Sequence, residues 1–254
     1  MRKFKKELKV CPTDTEINYS INTDSSTIEK QKMLINEIIT PDDFKFDMSA
    51  IANDINGTQS FREIITVVEK HFPMAEVNVV RVPDLKEGEL TIGAHYDPEK
   101  DEEEETAVFI RIVFSEDGPE SFTWSKNSKK YFLNRLKDTL KHELLHMKQH
   151  RDRDFHPGAD GYVDDKGSEI EYMSRPDEIE AYAMNIGDEF IRKVGKDGAV
   201  DLLRMAKKTA QFKTKVGQFL SPDLLAYFAL FNWDTNHPVI KRLIKKIYQH
   251  IQEQ

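Results

Sequence analysis

The segment His142-Glu143-Leu144-Leu145-His146 sets two imidazoles four residues apart, with a carboxylate directly after the first. On a helix such a pair shares one face, about 40° round the axis and roughly 6 Å along it. Both rings can then reach one tetrahedral metal ion. Glu143 stands where it can take a proton from a water on that ion. In a chain of 254 residues with 8 His, a chance match arises on the order of a few per cent of the time. The alternative is a pair of ordinary surface or core histidines.

The chemistry requires a helix, and residues 128–149 supply one on paper. They contain no Gly or Pro and are rich in Leu, Lys, Met and Glu. Phe132, Leu136, Leu140, Leu144 and Met147 recur at steps of three and four, which predicts a buried stripe. Lys137, Lys141 and Lys148 fall on the opposite side. Arg135 and Thr139 share the His face, which borders the stripe and can look into a cleft.

Two His and a water leave one protein ligand to find. Ser174, Pro176 and Asp177 read as a helix start, and Ile179, Ala183, Ile186 and Phe190 give that helix an apolar stripe. Glu178 and Glu180 lie in its opening turns. If this helix packs on the motif helix, either carboxylate can complete a two-His, one-Glu zinc site. Helical position alone does not separate them, because both flank the stripe.

Together, His142, Glu143, His146, Glu178 and Tyr182 resemble the gluzincin group of zinc metallopeptidases. The stretch Ser174-Arg175-Pro176-Asp177-Glu178-Ile179-Glu180-Ala181-Tyr182-Ala183 is similar to the second motif of small peptidase-like proteins of tailed phages. The resemblance spans roughly residues 128–190, about a quarter of the chain. It implies Zn2+ held by His142, His146 and Glu178, with Glu180 as the alternative ligand. It further implies Glu143 as general base and Tyr182, four after the ligand, as a supporting catalytic residue. Tyr182 stands where those enzymes often carry Asp.

Two other ligands compete. Asp152, ten after His142, occupies the third-ligand position of metzincins, and Met173 would then belong to a Met-turn. That arrangement needs Gly seven after the first His, where this chain has Gln149. His150 lies some 12 Å along the axis from His142, too far to share its ion, and reads as a helix-end His favoured by the dipole.

Composition bounds the rest. The single Cys11 rules out an intramolecular disulfide framework and favours a reducing, cytoplasmic setting, or a virion assembled there. A net charge of −8 with 32 % charged residues argues against a nucleic-acid partner. The basic N-terminus precedes no apolar segment of the kind a secretory signal carries. The longest apolar run, 224–231, is eight residues, which predicts a buried helix and no membrane span.

The order of elements predicts an α+β fold: a small mixed sheet over the motif helix, followed by a helical C-terminal part. Residues 1–27 read as an extended arm and a candidate contact for an assembly partner. Helices are expected at 28–40 and 60–72, then strands at 77–83, 90–96, 106–115 and 121–125. Later helices are expected at 197–213, packed by Val200, Leu202, Leu203 and Met205, and at 222–231. A last helix at 238–252 is packed by Ile240, Leu243, Ile244 and Ile247, with a basic face of Lys241, Arg242, Lys245 and Lys246. This divides the chain into 1–75 (arm and helices), 76–195 (catalytic core) and 196–254 (C-terminal helices), or one continuous domain. Residues 101–105, all acidic, read as a solvated loop. Strand 106–115 or its short successor is a candidate edge for an extended peptide. The segment 151–173 reads as a lid, a specificity loop or a plain surface loop. It carries His156, Tyr162 and Tyr172, which with Tyr182 are candidate donors to an oxyanion.

The expected function is zinc-dependent hydrolysis of a peptide or protein substrate, without nucleic acid or membrane. The competing class is a structural or virion-associated interaction protein that retains a peptidase-like zinc site.

Overall fold

The computed structural model describes residues 48–103, 105–155, 168–209 and 221–254. Expectations for residues 1–40, Cys11, His156, Tyr162 and 210–213 lie outside the described residues.

Period-two alternation of apolar residues builds the sheet. β2 (Ala75–Val82), β3 (Leu90–Tyr96) and β4 (Val108–Ser115) form three strands in the order β2-β4-β3. β2 pairs parallel to β4 and β3 pairs antiparallel to it. Val77, Ile92, Ile110 and Ile112 are buried on one face, while Glu76, Thr91, His95 and Arg111 are exposed on the other. β1 (Thr58–Ser60) pairs with β5 (Ser121–Thr123) in a separate ribbon. The expected edge therefore moves. β4 is the central strand and β5 belongs to the ribbon before the motif helix, leaving β3 as the sheet edge that packs on that helix.

Helix α1 (Met48–Asp54) and α2 (Phe61–His71) lie on the buried side. Ser60 caps α2, accepting from the Glu63 backbone while the Glu63 carboxylate accepts from Ser60. The short α3 (Pro98–Glu102) corrects the reading of the acidic run as wholly solvated. Asp101 is turned inward, accepting from Arg151 at 2.6 Å and 2.8 Å and from the Tyr96 hydroxyl at 2.8 Å. A guanidinium fifty residues away gives one of these carboxylates a buried partner.

The motif helix α4 runs Lys126–Arg151, capped by Ser125 and Ser128. Phe132, Leu136, Leu140, Leu144 and Met147 are all buried against the sheet, as their spacing requires, each contributing about 1.5–3 kcal/mol. α5 (Glu169–Ser174) follows, then α6 (Pro176–Thr209) with Pro176 opening its first turn. Ser174 ends α5 and donates to the Ile170 carbonyl, so it is not the cap of the following helix. Gly195, at φ +75°, breaks α6 into the two helices that the pattern predicts, since this left-handed conformation favours glycine. α7 (Pro222–Leu230) and α8 (Pro238–Glu253) close a second core around Phe190, Tyr227, Phe228 and Ile247. Leu202 and Leu203 join it, whereas Met205 is half-exposed and Ala199 and Ala206 take the buried places. The fold is α+β, with the helices following the sheet and motif helix as expected.

Polar clamps join α4 to the C-terminal helices. Asp138 accepts from both terminal nitrogens of Arg192 at 3.0 Å and 2.7 Å. Asp188 of α6 pairs with Lys141 of α4 and with His250 of α8, the latter at 2.7 Å. Lys141 is thus drawn inward from the solvated side. Gly187 makes room for this, because a Cβ there would stand 2.7 Å from His250 Cδ2. Burial alone would raise the Asp188 pKa. The His250 hydrogen bond and the Lys141 charge outweigh it and bring the value down from 3.8 to about 2. A folded-state value below the unfolded one stabilises the fold fully above about pH 4, and the contribution fades as pH falls towards 2. Asp188→Asn should cost about 2 kcal/mol at neutral pH, lowering the thermal midpoint by roughly 4–8 °C. Calorimetry from pH 7 to 2 should show the two proteins converging at the acid end; parallel curves would contradict this role.

Candidate metal centre

The site forms where α4 crosses the start of α6. His142 and His146 lie on one face of α4, and their rings meet edge to face with centroids 4.7 Å apart. Glu178, in the first turn of α6, reaches between them. Its Oε2 is 3.5 Å from His142 Nε2 and its Oε1 is 3.3 Å from His146 Nε2. All three side chains are buried, and one donor atom from each lies within 4.8 Å of the others. Among the described residues this is the one such group of three, with no fourth His, Cys, Asp or Glu in it.

The spacing suits a metal ion. Zn2+ bonds of about 2.0–2.1 Å in a tetrahedron separate neighbouring ligand atoms by about 3.3–3.4 Å, comparable to the contacts of 3.3 Å and 3.5 Å that the Glu178 carboxylate makes with the two imidazoles. His146 Nε2 and Glu178 Oε2 are buried without a hydrogen-bond partner among the described residues. Leaving such atoms unpaired is costly, and a shared cation would satisfy both. Burial alone would raise the Glu178 pKa, but the two imidazoles more than offset this and hold the carboxylate ionised well below its ordinary range. Burial would lower the His146 pKa; Glu178 reverses that and raises it.

The outer ring nitrogens are also engaged. His146 Nδ1 faces Gln149 Oε1 at 3.0 Å. His142 Nδ1 faces the Asn185 amide, with Nδ2 at 3.4 Å and the buried Oδ1 unpartnered. Turning that amide over would set Oδ1 against His142 Nδ1, the acceptor needed if Nε2 is the ligating nitrogen. Neither amide was identified from sequence, although Gln149 sits three residues after His146 and Asn185 seven after Glu178, both helical neighbours.

Glu143 is buried beside the group. Burial raises its pKa, opposed by His142 and His146, and His95 of β3 is near enough to act on it too. Tyr182 sets its ring edge to face against His142, with centroids 4.7 Å apart, and against Tyr227 at 5.4 Å. Tyr172 lies near enough to Glu178 to feel its charge. Burial, reinforced by the Glu178 charge, raises the pKa of both Tyr172 and Tyr182. Both of the candidate oxyanion donors among the described residues are therefore near the site.

The competing ligands are placed elsewhere. Glu180 bonds Gln149 and Lys246 and takes no part in the group. Asp152 follows the end of α4 and pairs with Lys148. His150 packs against Tyr96 at 5.5 Å, and burial lowers its pKa. Met173 is buried in the C-terminal core.

No helix among the described residues is long and apolar enough to cross a membrane. Comparison of the chain with protein-family models, curated proteins and solved structures gives no match.

Proposed function

We propose that this chain is a zinc-dependent metallopeptidase that uses His142, His146 and Glu178 as ligands and Glu143 as general base. The observation that carries the reading is the convergence of three buried donors, within 4.8 Å of one another, with a second buried carboxylate, Glu143, beside them. Two imidazoles and a carboxylate are a ligand set of catalytic zinc sites. Zinc bound there lowers the pKa of a coordinated water towards about 7 and polarises a substrate carbonyl.

Glu143 takes a proton from the attacking water as its oxygen bonds to the carbonyl carbon. The same carboxyl group returns the proton to the amine nitrogen as the C–N bond breaks. Tyr182 holds the His142 ring in place. The phenols of Tyr172 and Tyr182, kept protonated by burial, would donate to the negative charge that develops on the carbonyl oxygen. An extended peptide lies along the β3 edge, pairing backbone to backbone and passing Glu143 and His95. The absence of a fourth protein ligand among the described residues favours catalysis over a purely structural zinc site.

The test is hydrolysis of a mixed peptide library by the purified protein. Turnover should disappear on chelation and return with stoichiometric zinc. A zinc-loaded protein that cleaves nothing would favour the structural alternative.

A further inference from the structure

Resting on the proposed zinc site, we infer that Gln149, Glu180 and Lys246 form a positioning chain that fixes the His146 imidazole from the last helix of the protein. His146 Nε2 faces Glu178 at 3.3 Å, so Nε2 is the ligating nitrogen. A neutral imidazole that ligates through Nε2 carries its proton on Nδ1 and needs an acceptor there. Gln149 Oε1 supplies one at 3.0 Å. The same amide points Nε2 the other way, donating to Glu180 Oε2 at 3.2 Å. Lys246 Nζ of α8 donates to Glu180 Oε1 at 2.7 Å.

Donors and acceptors alternate without conflict along the whole chain. Turning the Gln149 amide over would set its NH2 against the Nδ1 proton and its oxygen against the Glu180 carboxylate, two repulsions at once. Glu180 therefore selects the amide orientation, and the amide selects the imidazole tautomer. Lys246 anchors Glu180, whose side chain is 45 % exposed and would otherwise be free to swing into solvent. Among the described residues the outer nitrogen of His142 faces Asn185 alone, at 3.4 Å. The chain also gives Glu180 a task distinct from that of Glu178, and singles out one lysine of the basic α8 face from its neighbours.

The chain is tested by zinc affinity and the visible spectrum of the cobalt(II)-substituted protein, with the thermal midpoint of each metal-free variant as a folding control. Gln149→Leu should weaken zinc about 10–100-fold and shift the cobalt bands. Lys246→Met, remote from the metal, should weaken it by up to about 10-fold. The paired exchange Gln149→Glu with Glu180→Gln keeps every donor opposite an acceptor and should restore affinity to within roughly threefold of wild type. Affinity in Gln149→Leu equal to a zinc-binding wild type would overturn the chain alone. So would failure of the paired exchange to rescue, since that makes Gln149 a packing residue. If Gln149→Leu does not fold, Lys246→Met and the paired exchange decide. A wild-type protein that binds no zinc would overturn the metal site itself.

Discussion

Glu143→Gln should retain one zinc per chain and lose peptide hydrolysis by about 10³-fold, the middle of the range for a positioned general base. That loss corresponds to about 4 kcal/mol of activation free energy. The substitution preserves volume and removes basicity, so it isolates proton transfer from packing. Glu143 is buried and contributes no atom to the group of three ligands. An amide there also removes a charge held away from water, so the thermal midpoint should not fall. Zinc content and kcat measured on the same sample separate the two functions. Turnover close to wild type would end the assignment of Glu143 as base.

Glu178→Ala should have the opposite signature, losing metal as well as activity. Among the described residues, Glu178 is the one member of the group of three from α6, and its carboxylate lies 3.3 Å and 3.5 Å from the two imidazoles. Without it the two His of α4 remain, leaving an incomplete site of neutral donors. Affinity should fall well beyond the roughly 100-fold that accompanies loss of a supporting hydrogen bond. Thermal shift gives a second reading. At zinc concentrations 100-fold above its Kd, wild type should gain about 2.7 kcal/mol, or roughly 5–10 °C for a chain of this size. The variant should gain nothing at that concentration. Glu180→Ala should keep most of this shift, because Glu180 serves only the outer side of His146. Equal metal loss in both variants would contradict the division between the two carboxylates.

The parts of this site that were legible in the sequence are those fixed by local periodicity. The stripe from Phe132 to Met147 places His142 and His146 on one face of α4 before any tertiary contact is known. Pro176 and the acidic first turn mark the start of α6 just before Glu178. The choice between Glu178 and Glu180 was not legible from periodicity, since both border the same apolar stripe. It is made by Gln149 on α4 and Lys246 on α8, at separations of 31 and 66 residues.

Similar reasons govern the fold. The span of β3 matches its alternation residue for residue, yet alternation states which side chains face inward and not which strand is a neighbour. β4 therefore looked like an edge when it is the centre. Asp101 looked solvated because its partner Arg151 lies at the far end of α4. The three-residue β1 and the short α1 carry too few residues to show a period.

X-ray absorption at the zinc edge of the purified, zinc-loaded wild-type protein interrogates the centre without reference to any substrate. One zinc per chain is expected, bound by two imidazoles and one carboxylate, with a single further oxygen from solvent at about 2.0–2.1 Å. A spectrum lacking paired imidazole scattering, or one showing a fourth protein ligand in the solvent position, would contradict a hydrolytic centre built on His142, His146 and Glu178.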